Sequence, residues 1–200
     1  IKSIDPINLE VKELHKILLS SVAPRPIAFA STVDSNGNVN LSPFSYFNVF
    51  SSNPPILIFS PSRRVRDNTT KHTLENAKET KEVVINVVNF PIVEQMSKSS
   101  IEYEKGVNEF IETGLTQVKS VLVKPPRVLE SPISFECNVQ DIVSLGESGG
   151  AGQLIIAKVV QIHIDKKFLD KIYQEANEKF DGRIDLSELD RKLDSHKISL

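Results

Sequence analysis

The sequence predicts a mainly β (α+β) fold, an antiparallel barrel with peripheral helices. Three observations carry this. About six strand-like segments succeed one another in hairpin fashion with few helices between them. Val83, Val84, Ile85, Val87 and Val88 form a nearly continuous apolar run, as in a strand buried on both faces. From Ile133 to Val143 the pattern alternates: Ile133, Phe135, Cys137 and Val139 share one face, and Ser134, Glu136, Asn138 and Gln140 the other.

Taken in order, Ile27 to Val33 reads as a strand and Asp34-Ser35-Asn36-Gly37 as its turn, because Asn and Gly both tolerate positive φ. Val39 to Asn48 reads as a second strand, broken at Pro43, whose missing N–H suits an edge or a bulge. Ile56 to Ser60 and Glu82 to Asn89 are further strands. Lys71 to Thr80 predicts a short helix with Thr73 as N-cap and Glu75 in its first turn. Pro91 to Ser100 predicts another, with Pro91 in the first turn, and residues 101–119 a loop-rich insertion with polar helical turns. Glu147 to Gly152 reads as a flexible turn leading to the long strand Gln153 to Ile164, rich in β-branched residues. Phe168 onward is helical, charged and peripheral.

Two hundred residues suit one domain. A net charge of −2, from 24 basic and 26 acidic residues, gives no electrostatic case for nucleic acid or an acidic membrane. No apolar run approaches the ~20 residues of a membrane span, and no signal-peptide pattern opens the chain, which begins at Ile1. The single Cys137 excludes an internal disulfide or a multi-cysteine metal site and points to a reducing cytoplasm. Its place on the Ile133 face makes it a core residue rather than a redox thiol. No metal site is expected. The stretch from Asp181 to Glu188 matches the back half of a calcium loop, but Lys179 would stand at a ligand position. No glycine-rich dinucleotide fingerprint or P-loop occurs.

Two segments invite a ligand. Around the first hairpin, Asn40, Ser42, Ser45 and Asn48 alternate with Phe44 and Phe47, a setting for a flat, polar-rimmed aromatic molecule. The plainer reading is an edge strand whose serines and asparagines satisfy their own backbone. The second segment runs from Ser60 to Thr73. It gathers hydroxyls, Arg63, Arg64, Arg66 and Lys71 near a helix N-terminus, which suits a phosphate. Its plainer reading is a solvated basic loop.

These segments also carry a family resemblance. Pro24-Arg25-Pro26-Ile27-Ala28-Phe29-Ala30-Ser31-Thr32 with Asn40-Leu41-Ser42-Pro43-Phe44-Ser45-Tyr46-Phe47-Asn48 resembles the first motif of the flavin reductase-like proteins, which bind FMN on a split β-barrel. Pro54 to Ser60, Lys71-His72-Thr73-Leu74-Glu75-Asn76, Asn108-Glu109-Phe110 with Gly114-Leu115-Thr116, and Glu130-Ser131-Pro132 leading to Phe135-Glu136-Cys137 follow in the family's order. The likeness runs from about Pro24 to about Arg191. Where the family usually has Lys-Asp-Thr this chain has His72, which either adds positive charge or faces water. The Arg-Leu-Gly-Gly…Tyr ending common in the family is replaced here by Arg191-Lys192-Leu193-Asp194-Ser195, which puts any site contact by that tail in doubt.

The resemblance implies a split β-barrel of antiparallel, Greek-key-like strands. It implies one flavin reductase-like domain over residues 1–200, of which 170–200 form a peripheral helical tail. Ser31, Thr32, Asn40, Ser42, Pro43, Phe44 and Ser45 are then expected along the isoalloxazine and ribityl chain. Ser60, Ser62, Lys71, Thr73 and one of Arg63, Arg64 and Arg66, with Arg66 as the candidate, are expected near the phosphate. The implied activity is that of an NAD(P)H:flavin reductase: hydride passes from NADH or NADPH to FMN, and electrons move on to free flavin or an acceptor protein. The alternative is a non-enzymatic FMN electron carrier of flavoredoxin type; a further rival is a barrel that has lost flavin. Flavin N5 carries the chemistry, so no catalytic side chain is expected, and His163 is read as structural rather than as lying at the flavin edge. A homodimer with flavin near the interface is also implied.

Overall fold

The computed structural model describes residues 1–179. The chain divides into two compact units: residues 1–163, which hold the barrel, and residues from 164 onward. The 181–188 stretch and the Arg191 segment lie outside the described residues. In chain order the elements are α1 (Val11–Ser21), β1 (Ala28–Val33), β2 (Val39–Phe44), β3 (Phe47–Ser52), β4 (Pro55–Phe59), α2 (His72–Thr80), β5 (Glu82–Val87), α3 (Val93–Lys98), α4 (Glu109–Thr113), β6 (Gln117–Val118), β7 (Arg127–Val128), β8 (Ile133–Ser144), β9 (Gln153–Ile164) and α5 (Lys166–Lys179). No helix among the described residues is long and apolar enough to cross a membrane.

Seven strands form one sheet in the order β2-β1-β5-β8-β9-β4-β3. β1 pairs antiparallel with β2 and β5, β5 with β8, and β4 with β3 and β9. β2 and β3 stand at opposite ends of that order, so the sheet curls without closing, as a mainly β split barrel. Its interior is filled by Ala28, Ala30, Phe44, Phe59, Val83, Ile85, Cys137 and Ile155, with Leu74 and Ala77 of α2 added from one side. A second cluster, Phe29, Leu41, Ile92, Phe110, Leu115 and Val128, covers the other face of β1 and β2. β1 is therefore buried along its whole length, which the sequence Ala-Phe-Ala-Ser-Thr-Val permits because its two polar residues are small.

The first hairpin differs from its sequence reading in two ways. Its turn closes with the Gly37 N–H donating to the Asp34 carbonyl, and of the Asn-Gly pair only Gly37 has a positive φ, 85°. The Asp34 carboxylate accepts from the N–H groups of Asn36 and Asn38, which does locally what a left-handed Asn would have done. β2 also runs unbroken through Pro43, which lies opposite Phe29, and the chain breaks only afterwards at Ser45 and Tyr46. The Leu41 N–H points away from β1, to Glu109. Backbone direction alternates along a strand, so Pro43 shares Leu41's direction and its missing N–H falls on the free edge, where no ladder bond is lost.

Other boundaries need physical correction. α2 begins at His72 with Lys71 in the N-cap position and no side-chain cap. Thr73 is buried inside the first turn with its hydroxyl engaged by Asn40, so it does not cap. The helix expected over 91–100 is a 3-10 turn, Phe90–Ile92, followed by α3. The first half of the polar face of β8 is not solvated, whereas Asn138 and Gln140 farther along it are exposed. Ser134 and Glu136 are buried, Ser134 donating to Asn86 and Glu136 accepting from Val121, Leu122 and Val123. The alternation is real, but a loop covers that face and its backbone donors take the place of water. Cys137 is fully buried in the barrel, and burial pushes its thiol pKa far up, in keeping with an inert core residue.

Candidate functional site

A cleft on the barrel encloses about 790 Å³. One wall is the end of β2 and the break after it: Ser42, Pro43, Phe44, Ser45 and Tyr46. A second is the segment after β4, from Ser60 to Arg66, and a third is Lys71 at the start of α2. The last is α1, whose Leu14, Leu18 and Leu19 face the cleft. Expected site residues Ser42, Pro43, Phe44, Ser45, Ser60, Ser62, Arg66 and Lys71 thus meet around one space.

Ser31, Thr32, Asn40 and Thr73 lie elsewhere. Ser31 and Thr32 are enclosed in β1; Thr32 Oγ1 accepts from Asn76, and Ser31 Oγ has no partner among the described residues. Asn40 and Thr73 form a buried relay. The hydrogen-bond network orients the Asn40 amide so that its nitrogen donates to Glu109 (3.2 Å) and its oxygen accepts from Thr73 Oγ1 (2.9 Å). Burial raises the Glu109 pKa, while the Leu41 N–H opposes this. The relay borders a small hollow that shares Ser42, Arg64 and Lys71 with the cleft. His72 borders the same hollow; burial lowers its pKa, so at neutral pH it adds no charge there.

The three arginines are committed to groups of their own loop and to Glu102. Arg63 donates to the Asn68 side chain (2.7 Å) and carbonyl (2.6 Å). Arg64 pairs with Glu102 and donates to Thr69 and to the Thr70 carbonyl. Arg66, largely exposed, pairs with Asp67 and Glu102. Lys71 differs: among the described residues it has neither an ion pair nor a side-chain hydrogen bond. Burial lowers its pKa and neighbouring Arg64 lowers it further; Glu102 opposes this, but that carboxylate is paired with Arg64 and Arg66, which leaves Lys71 a half-buried cation with no ion pair of its own. A phosphate placed there would neutralise it, beside the open N–H groups of the first turn of α2.

Ser60 supplies a second unsatisfied polar group. Its hydroxyl oxygen is enclosed and has no hydrogen-bond partner among the described residues, yet the residue borders the cleft. Orphaned buried hydroxyls are uncommon, and a ligand acceptor is one resolution. The donor set therefore fits a ligand with a polar rim and a phosphate end.

Sequence reasoning missed two parts of this site. α1 was not foreseen, although Val11, Leu14, Ile17 and Leu18 follow a helical period. The loop of Gly149, Gly150 and Gly152 was read as flexible, but it holds the arginine segment in place. Gly150 N–H donates to the Arg63 carbonyl and Arg63 N–H to the Ala151 carbonyl, each at 2.9 Å. A Cβ on Gly149 would lie 2.9 Å from the Val65 α-carbon, so only glycine admits that approach. Three glycines in four positions were the available signal. His163 is satisfied by Glu136 and does not border the cleft.

A split barrel whose cleft offers an unpaired lysine, an orphaned hydroxyl and a helical wall of leucines and lysines fits a flat, phosphate-bearing ligand. The flavin reductase like domain matches residues 19–180, and the chain belongs to that family. Membership implies flavin binding. A protein of Aquifex aeolicus is 38% identical over 167 residues, 84% of this chain and 83% of that one. Nitrilotriacetate monooxygenase component B from Bacillus cereus superposes with a TM-score of 0.79 at 31% identity, over 84% of this chain and 83% of that one. The 2-nitrobenzoate 2-nitroreductase of Pseudomonas fluorescens shares the fold, with a TM-score of 0.74 at 24% identity over 83% and 78% of the two chains.

Proposed function

We propose that this protein is an FMN-dependent oxidoreductase, reduced by NADH or NADPH and passing electrons to free flavin or to an acceptor such as a monooxygenase partner. The observation that carries the reading is Lys71, a half-buried cation with no ion pair of its own, which borders a cleft that also carries the orphaned Ser60 hydroxyl and the leucines of α1. Bound FMN supplies the redox chemistry, accepting hydride from the nicotinamide and releasing electrons onward.

The chain's own part is to bind, orient and exclude water. Lys71 and the first turn of α2 hold the phosphate. Ser60 donates to a polar atom of the ligand, and Ser45, in the break after β2, lies along the same cleft. Donors fixed in this way favour negative charge on the ring. Leu14, Leu18 and Leu19 keep water from the apolar side. Glu102, the carboxylate bordering the cleft, is occupied by Arg64 and Arg66, so the reading needs no general acid or base from it.

The same reading includes a homodimer with flavin near the interface. The terminal strand β3 supports it, with Val49 and Phe50 exposed beside an unpaired edge. The lone thiol, buried and unreactive, is consistent with a cytoplasmic protein. Anaerobic stopped-flow reduction of the FMN-loaded protein by NADH and by NADPH tests the activity. Rapid bleaching of the flavin followed by turnover with free flavin is the expected result. Tight FMN binding without reduction by either nucleotide would instead favour a flavoredoxin-type carrier.

A further inference from the structure

The cleft holds more positive charge than a single flavin phosphate uses. Lys12, Lys16, Arg63, Arg64, Arg66 and Lys71 border it, against one carboxylate, Glu102. The arginines are tied to Asn68, Thr69, Thr70, Asp67 and Glu102, and Lys71 is taken by the phosphate in the reading above. Lys12 and Lys16 remain. Neither has an ion pair or side-chain hydrogen bond among the described residues, and both project from α1 one turn apart, with His15 on the same face.

α1 buries none of its side chains fully, and a few specific contacts hold it beside the cleft. At its C-terminal end the Arg25 guanidinium donates to the carbonyls of Leu19 (2.7 Å) and Val22. In its middle, His15 Nδ1 lies 3.3 Å from the Tyr46 hydroxyl, with the rings edge to face. At its start Val11 packs on Gly150, where an added Cβ would come within 2.7 Å of Val11 Cγ1. These contacts tie α1 to the segment that follows it, to Tyr46 and to the Gly150 loop, and Lys12 and Lys16 border the same cleft as Lys71.

We propose that the α1 face bearing Lys12, His15 and Lys16 is a second anion site. It holds the phosphate or carboxylate group of the molecule that exchanges electrons with the flavin. The proposal rests on the flavin reading for its purpose but not for its test. Two ammonium groups on adjacent turns grip one oxyanion with charge-assisted hydrogen bonds. Because they are exposed, the interaction is sensitive to salt. The small-molecule partner is accordingly anionic: a dinucleotide held by its phosphates, or an acceptor carrying carboxylates.

The test is calorimetric titration of FMN-saturated wild type and Lys12→Ala/Lys16→Ala protein with pyrophosphate and, separately, citrate, beside measurement of FMN affinity. The double variant should bind FMN as wild type does but lose about tenfold in affinity for the preferred anion. That loss should shrink between about 0.05 and about 0.5 M salt. A preference for pyrophosphate assigns the site to a dinucleotide, and one for citrate to a carboxylate acceptor. Absence of anion binding by wild type, unchanged affinity in the variant, or an equal loss of FMN binding overturns the proposal. Should wild type take up no FMN, the flavin reading fails by itself. The same titration on flavin-free protein in a Lys71→Ala background then still decides whether the α1 lysines hold an anion.

Discussion

His163 Nε2 lies 2.6 Å from the fully buried carboxylate of Glu136, and the same carboxylate accepts the backbone N–H groups of Val121, Leu122 and Val123. One side chain thus fastens β9 and the 121–123 loop to the middle of β8. Burial works to raise the Glu136 pKa, but the loop donors and His163 outweigh it and hold the carboxyl below its ordinary 4.5. A depressed carboxyl contributes stability that is present above the unfolded pKa and lost as pH falls through the folded one. Denaturation midpoints of wild type should therefore drop on acidification below the ordinary carboxylate range. Glu136→Gln should be less stable at neutral pH and should lack that part of the acid loss. A parallel decline in both proteins argues against this role.

Lys71 gives a prediction that separates phosphate from ring. Lys71→Ala should weaken FMN binding by about 1.5–3 kcal/mol, the scale of a hydrogen bond to a charged group. Riboflavin, which lacks the phosphate, should bind wild type poorly and hardly respond to the change. The lysine's pKa is lowered by burial, so FMN affinity should fall as the alkaline range is entered, and that fall should vanish in Lys71→Ala. Equal losses for FMN and riboflavin would place the lysine elsewhere.

Cys137 is enclosed in the barrel with its thiol pKa pushed far up by burial. Cys137→Ser should cost about 1–3 kcal/mol, since a hydroxyl then replaces a soft apolar group, with flavin content and reduction rate preserved. Thermal denaturation and stopped-flow reduction on the same sample check both halves. Lost reduction in a folded, flavin-loaded variant points to thiol chemistry.

Most strands were legible in the sequence because their signals are local. β9 could be bounded from its β-branched run, and β5 from its apolar run. What a linear pattern does not show is which polar side chains are buried. Ser134, Glu136, Asn86 and Thr73 look solvated in a linear pattern, yet each is buried, with its polar atoms paired to groups 33–57 residues distant or to a covering loop. Pro43 misled for a related reason: its missing donor breaks a strand only where that donor faces a neighbour, and here it faces the free edge. The β2 and Ser60–Lys71 walls of the cleft were marked by the clustering of hydroxyls and cations. α1 was not, because all its side chains remain at least partly exposed and the helix shows its purpose only across the cleft.

The orphaned hydroxyl of Ser60 yields a prediction with opposite signs in two states. Without a ligand, an enclosed oxygen lacking a partner costs the folded protein about 1–3 kcal/mol. Ser60→Ala removes that oxygen while keeping the Cβ, so the flavin-free protein should become more stable, with a higher denaturation midpoint. If the hydroxyl serves the flavin, the same substitution should weaken FMN binding by about 0.5–1.5 kcal/mol, the net worth of one neutral hydrogen bond. Gly152 offers an independent approach to the same atom: a Cβ there would lie 2.7 Å from Ser60 Oγ, so Gly152→Ala must push the hydroxyl out of its position. FMN affinity should then fall to about the Ser60→Ala level, and combining the two changes should add little, because both act on one oxygen. Urea denaturation of flavin-free protein and fluorescence titration with FMN measure the two effects separately. Destabilisation of flavin-free Ser60→Ala, or full additivity of the two losses, would show that the oxygen has a protein partner and that the cleft does not use it.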